Sequence, residues 1–164
     1  MMTPASSAAR SLTDPMISVI GLYKSFGDNH VLKGASLNVD KGTTAVVMGG
    51  SGSGKSVLIK TIVGLLKPDK GEVWIDNVRV DVLDGSELDK VRLSIGYLFQ
   101  SGALFDSMNV EQNLSFILER HSKLSKSERR DRVFEALEWV RLPEKADSFP
   151  SELSGGQKKR IALA

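Results

Sequence analysis

Gly49-Gly50-Ser51-Gly52-Ser53-Gly54-Lys55-Ser56 is the stretch on which the reading of this chain turns. It fits the pattern G-x-x-x-x-G-K-[ST], and the β-prone run at residues 43–48 before it and the helical pattern after it supply the expected context. The composition has a chemical reason. Glycines let the backbone curl into a ring of N–H donors close around a phosphate, where a Cβ would obstruct. The helix that follows points its N-terminus, with about half a positive charge, at the same anion. Lys55 adds a full charge near the β- and γ-phosphates, and the Ser56 hydroxyl can ligate Mg²⁺. A flexible Ser/Gly linker could carry the same letters, but its flanks would not be a strand pattern and a helix pattern. The loop alone leaves kinases, GTPases, helicases and transport ATPases open.

Working outward toward the N-terminus, Asp40-Lys41-Gly42 and Gly27-Asp28-Asn29 are turn signals that separate strand patterns at residues 31–39 and 17–22. Residues 1–15 are rich in Ser, Ala, Thr and Pro and predict a mobile tail; Met16 is an equal candidate for the start. Downstream of Lys55, residues Leu58, Ile59, Ile62, Val63 and Leu66 fall on one helix face, and Lys67-Pro68-Asp69-Lys70-Gly71 stops the helix. A strand is predicted over residues 72–76, a short helix over 86–92, a strand over 95–99, and helices over 110–121 and 126–140. His30 and His121 read as solvated surface residues. Strands first and helices later predict an α/β fold with a helical insertion.

Composition narrows the class. The chain has 164 residues, 41% apolar and 26% charged, enough for one globular domain with a real core. A net charge of +2 gives no general attraction to nucleic acid, so no nucleic-acid partner is expected. The absence of cysteine excludes disulfides and thiolate metal sites. The apolar run at residues 57–66 is interrupted by Lys60 and falls short of the ~20 residues of a membrane span, and no signal-peptide run is present. These features predict a cytoplasmic chain whose membrane role, if any, comes through a partner.

A second glycine motif, Leu153-Ser154-Gly155-Gly156-Gln157, stands before a basic helical segment. Ser154 can cap that helix while Gly155 and Gly156 expose N–H groups at its positive end. It is either a plain helix cap or a second anion cradle. Two cradles for one nucleotide make sense if the molecule works as a pair, each copy's second cradle closing on the other copy's ATP.

With both motifs on the page, residues 17–164 resemble the nucleotide-binding domain of ABC transporters, whose signature is L-S-G-G-Q and whose loop is G-x-S-G-S-G-K-S. That resemblance implies a P-loop NTPase (RecA-like) core with an antiparallel β lobe and a helical lobe over about residues 101–164, within a domain spanning 16–164. It implies ATP and Mg²⁺ as ligands, a homodimer with ATP at the interface, a transmembrane permease subunit as partner, and a peripheral place for this chain on the cytoplasmic face of the inner membrane. It assigns nucleotide contacts to Gly49, Gly50, Ser51, Gly52, Ser53, Gly54, Lys55, Ser56, Val57, Ser154, Gly155, Gly156 and Gln157. Phe26 takes the place of the family's adenine-stacking aromatic, and Gln100 that of the glutamine which reaches the metal beside Ser56. Phe26 also reads as an ordinary strand-end aromatic.

Val57 stands where the family usually has Thr, so a hydroxyl near the α-phosphate is missing. The family's Walker B strand, catalytic Glu and switch His follow the signature, and no residue up to Ala164 matches them. The expectation is a C-terminally incomplete domain that does not hydrolyse ATP; a non-catalytic remnant pairing with intact copies is the alternative. Phe99-Gln100-Ser101-Gly102-Ala103-Leu104-Phe105 resembles the Mla-type subgroup, which moves phospholipid. Ala103, Leu104 and Phe105 form either a docking surface for the permease or helical-lobe packing. The basic residues Arg120, His121, Lys123, Lys126, Arg129, Arg130 and Arg132 read as a solvated helix face before a lipid-headgroup site, because Glu128 and Asp131 interrupt them.

Overall fold

Gly27 and Asp28 form a two-residue turn between β1 (Ile17–Phe26) and β2 (Asn29–Val39). The chain can double back there because Gly27 accepts a φ of 59°. The computed structural model describes residues 15–100 and 102–164; the tail predicted over 1–15 lies, apart from Pro15, outside them. β1 and β2 are antiparallel from Ile17↔Val39 to Phe26↔Asn29. On its other edge β1 pairs antiparallel with β3 (Lys70–Ile75), from Ile17↔Ile75 to Tyr23↔Lys70. A short β4 (Val78–Arg79) completes a sheet of order β2-β1-β3-β4. The sequence reading missed β4. Its signal was the pair Asp76-Asn77, which takes φ of 45° and 64° between the two strands, the left-handed pair that tight hairpins require.

Helix α1 (Lys55–Ile62) lays Leu58 and Ile62 on this sheet, against Val19, Leu22, Leu32, Val73, Ile75 and Val80. Leu22 and Val73 are fully buried. The expected face shifts slightly: Thr61 joins the buried side, its hydroxyl donating to the Val57 carbonyl at 2.8 Å, while Ile59 is exposed. Helix α2 (Gly85–Arg92) is tied back through Arg92, whose Nη2 donates to the Gly64 carbonyl at 2.7 Å. Gly71, at φ +99°, lets β3 pass close to β1: a Cβ there would sit 2.7 Å from the Ile20 carbonyl oxygen and closer still to that of Gly21.

The chain divides into two compact units, one ending at Gly96 and one spanning Tyr97–Ala164. The second unit is helical: α3 (Val110–His121), α4 (Lys126–Trp139) and α5 (Gly155–Ile161). Its core is Val110, Val133, Leu137, Leu142, Ala146, Leu153 and Ile161. Each helix starts on a reciprocal cap, Asn109 with Gln112, Ser125 with Glu128, and Ser154 with Gln157. Asn113 folds the approach to α3: its Oδ1 accepts from the Phe105 N–H at 2.7 Å, and its amide donates to the carbonyls of Phe105 and Met108.

Two expected strands are corrected. Residues 43–48 and 95–99 form no strand in the structure. Their runs of apolar residues are those of strands buried on both faces, which exist only when neighbours supply a hydrogen-bond ladder. Among the described residues none pairs with them. Val46 and Met48 are accordingly 74% and 86% exposed. The loop at residues 49–56 therefore follows an irregular segment, not a laddered strand.

Candidate functional site

The glycine loop opens directly into α1. Gly54 is the N-cap, at φ 90° and ψ 3°, and its carbonyl accepts the first helical bond from Leu58 N–H at 2.8 Å. A Cβ on Gly54 would meet Val31 Cγ1 at 3.0 Å and the Val31 carbonyl at 3.2 Å, so β2 leaves room only for glycine. Gly52 also takes a positive φ, 77°, and a Cβ on Gly49 would press on Ser53 Oγ at 2.7 Å. The Ser53 N–H donates to the Gly50 carbonyl, closing the bend. At the helix start the N–H groups of Lys55, Ser56 and Val57 have no partner within the helix. Amides of this kind beside a glycine bend at a helix start can take a phosphate group.

Lys55 folds its ammonium over this loop, donating to the Gly49 carbonyl at 2.8 Å and the Gly50 carbonyl at 2.7 Å. The ammonium is thus held beside the loop by two of its carbonyl oxygens, a position from which it could turn to an anion. Ser56 is exposed at the mouth of the helix. Among the described residues no cluster of three or more His, Asp or Glu could hold a metal alone. The donor set fits Mg²⁺ that arrives with phosphates and keeps its waters, for which one protein hydroxyl suffices. Val57 presents methyls where a hydroxyl was expected, as the sequence states. Beside the loop lies a cavity of about 340 Å³ bounded by β2 at Val31 and Gly34 and by Met48, Gly49 and Lys55.

Phe26, in the same unit, ends β1 and is half exposed. The Lys24 ammonium lies 5.7 Å from its ring centroid. Around that strand end is a set of contacts which sequence reasoning did not find. Asp69 accepts from Lys24 Nζ at 2.9 Å and from the Ser25 N–H at 2.6 Å. These two donors hold the Asp69 carboxyl below the ordinary aspartate range, Lys24 contributing most. His30 is exposed, as expected, and its Nδ1 meets Ser25 Oγ at 2.8 Å. The sequence had marked Asp69 only as part of a helix stop, and nothing in its spacing announces a contact 44 residues away.

The other candidates lie in the second unit, described on its own. Gln100 stands in an exposed turn. Ser154 caps α5, its Oγ accepting from the Gln157 N–H at 3.3 Å while Gln157 Oε1 accepts from the Ser154 N–H at 2.8 Å. No atom lies within 4 Å of a Cβ built on Gly155 or Gly156, so this helix start faces open space. Leu104 and Phe105 line an apolar groove of about 770 Å³ with Phe116, Ile117 and Trp139. The basic residues are largely occupied within the unit: Arg129 with Glu119 and the Leu124 carbonyl, Arg130 with Glu111, Arg132 with Glu135, and Arg120 over the Phe116 ring.

Residues 32–164 match the ABC transporter family. The chain belongs to that family. A TRIGALACTOSYLDIACYLGLYCEROL 3 protein of Arabidopsis thaliana chloroplasts is 44% identical over 153 residues, 93% of this chain and 44% of the relative. A probable ribonucleotide transport ATP-binding protein, mkl, of Mycobacterium leprae is 43% identical over 90% of this chain and 43% of its own length. The methionine import ATP-binding protein MetN of Brucella abortus is 38% identical over 98% of this chain and 42% of its own. The chain thus spans less than half the length of these curated relatives. Among solved structures, a dimeric bacterial ABC transporter cassette superposes with a TM-score of 0.83 at 36% identity, covering 90% of this chain and 67% of that one. A second structure of that cassette, in a post-hydrolysis state with ADP and Pi, matches equally. The fold is that of the ABC ATPase cassette, an α/β P-loop NTPase with an antiparallel sheet and helices. No helix among the described residues is long and apolar enough to cross a membrane.

Proposed function

We propose that this chain is the ATP-binding portion of a subunit that couples nucleotide binding at a dimer interface to transport across a membrane. One observation carries the reading: two glycine-containing helix starts, at Gly54 and at Ser154, whose first backbone N–H groups have no partner inside the helix. The first, with Lys55 and Ser56, would bind the phosphates and Mg²⁺ of one copy's ATP. The second, with Ser154, Gly155, Gly156 and Gln157, would close on the γ-phosphate held by the other copy. Phe26 would stack on adenine and Gln100 would reach the metal. ATP supplies the phosphoanhydride and Mg²⁺ screens its charge.

The test is pairing driven by nucleotide. Sedimentation with Mg-ATP should shift the chain from monomer to dimer, and Ser154→Arg should abolish the shift while ATP still binds. ATP bound by a chain that stays monomeric at every concentration would remove the sandwich reading.

Lipid is the cargo favoured by the stretch at residues 99–105 and by the relative named for trigalactosyldiacylglycerol. The permease would dock on Ala103, Leu104 and Phe105 on the cytoplasmic face. Val57 gives a second expectation. Restoring the hydroxyl with Val57→Thr should tighten ATP by about tenfold to a hundredfold, the value of one hydrogen bond to a charged group. Isothermal titration with Mg-ATP reads it, and an affinity that falls or stays equal would show that a backbone N–H already serves the α-phosphate.

A further inference from the structure

The far end of β1 runs past its neighbour. The β1–β3 ladder ends at Tyr23↔Lys70, and the last three residues of β1, Lys24 to Phe26, continue with β2 alone beside them. In an antiparallel strand alternate residues turn their N–H and C=O to the same side. The Tyr23 carbonyl faces β3 and accepts from the Asp69 N–H at 2.9 Å, so the Ser25 N–H faces that side too, where no strand remains to receive it. The Asp69 carboxylate takes the place of the missing strand: Oδ2 accepts from Ser25 N–H at 2.6 Å and Oδ1 from Lys24 Nζ at 2.9 Å. From the opposite side His30, paired with Ser25 across the hairpin, engages the Ser25 hydroxyl. Ser25 is thereby fixed on both flanks, and Phe26 is the next residue.

We propose that Asp69 is a positioning residue for the nucleotide's base: by holding Lys24 and Ser25 it fixes the strand end that presents the Phe26 ring. The inference rests on the reading of Phe26 as the adenine platform, and adds the residue that makes the platform rigid. An aromatic that stacks gains most when its backbone is ordered beforehand, because the ordering cost is then not charged to binding. Lys24 has a double function in this arrangement. Its ammonium pairs with Asp69 while lying over the Phe26 ring, so loss of the carboxylate frees both the strand end and the cation.

Asp69→Asn is the informative change. An amide has one acceptor oxygen for two donors, so its NH₂ must confront either Lys24 or the Ser25 N–H. The 164-residue chain and its variants are titrated with Mg-ATP and, separately, with Mg-tripolyphosphate, which reports the Lys55 cradle alone. Phe26→Ala should lower ATP affinity about tenfold, within the range of base–aromatic stacking, and leave tripolyphosphate within twofold. Asp69→Asn should lower ATP affinity about fivefold, leave tripolyphosphate unchanged, and add nothing to Phe26→Ala in the double variant. Hydrogen exchange of the Ser25 amide, followed without nucleotide, should speed at least tenfold in Asp69→Ala, which leaves neither donor an acceptor.

An additive loss in the double variant, or an equal loss for tripolyphosphate, would mean a general structural effect and overturn the inference. So would unchanged exchange at Ser25. If Phe26→Ala itself leaves the ratio of the two affinities untouched, the adenine platform is wrong, and the role of Asp69 falls with it.

Discussion

Lys55→Ala is expected to lower the affinity for Mg-ATP at least a hundredfold while barely moving the thermal midpoint. The two halves of that result have different origins. On the binding side, the ammonium supplies charge-assisted hydrogen bonds to phosphate oxygens, worth about 1.5–3 kcal/mol each. Two such bonds, at about 1.4 kcal/mol per decade, already reach a hundredfold. On the stability side, the ammonium's partners are the Gly49 and Gly50 carbonyls of an exposed loop. Water replaces it there with little cost, and the loop's bend is kept by the Ser53 N–H bond to Gly50. Calorimetric titration beside a melting scan separates the two. A variant that kept its affinity within threefold would show that nucleotide does not sit on this loop.

Gly71→Ala carries the largest expected loss of stability, about 3–5 kcal/mol. It combines two effects that do not relieve each other. The backbone at φ +99° is closed to ordinary side chains, and the new methyl would be forced against the carbonyl oxygens of Ile20 and Gly21. Both oxygens belong to β1, whose neighbouring Val19 and Leu22 are core residues, so the strand cannot retreat cheaply. Gly156→Ala serves as the contrast, since nothing lies within 4 Å of its Cβ. Urea unfolding of the two variants should differ by most of that amount; equal midpoints would show that β3 can move away from β1. A loss of this size is a large part of the 5–15 kcal/mol that holds a domain together.

Most of the architecture could be read from residue patterns because the decisive signals were local. The loop at residues 49–56 and the caps at Asn109, Ser125 and Ser154 act within four residues of themselves, and helices α3 and α4 lie where the pattern put them. The strands at 43–48 and 95–99 were overcalled for the opposite reason. A strand is a relation between two segments, and apolar letters describe only one of them. β4 was missed because two residues are too few for any periodicity, although Asp76-Asn77 carried the turn. At the site, the Lys55 loop was legible as a motif. Asp69 was not, because its role arises only when the register of β1 on β3 brings residue 25 beside residue 69.

Among the described residues each unit has its own buried apolar set, one around Val19 and Val73 and one around Val133 and Leu137. Local opening depends on local packing, so the amides of each unit report on the set they pack in. Amides in β1 and β3 report one protection free energy and those in α3 and α4 report another. A substitution such as Gly71→Ala acts on the first set, and its consequence for the helices is a separate quantity to be measured.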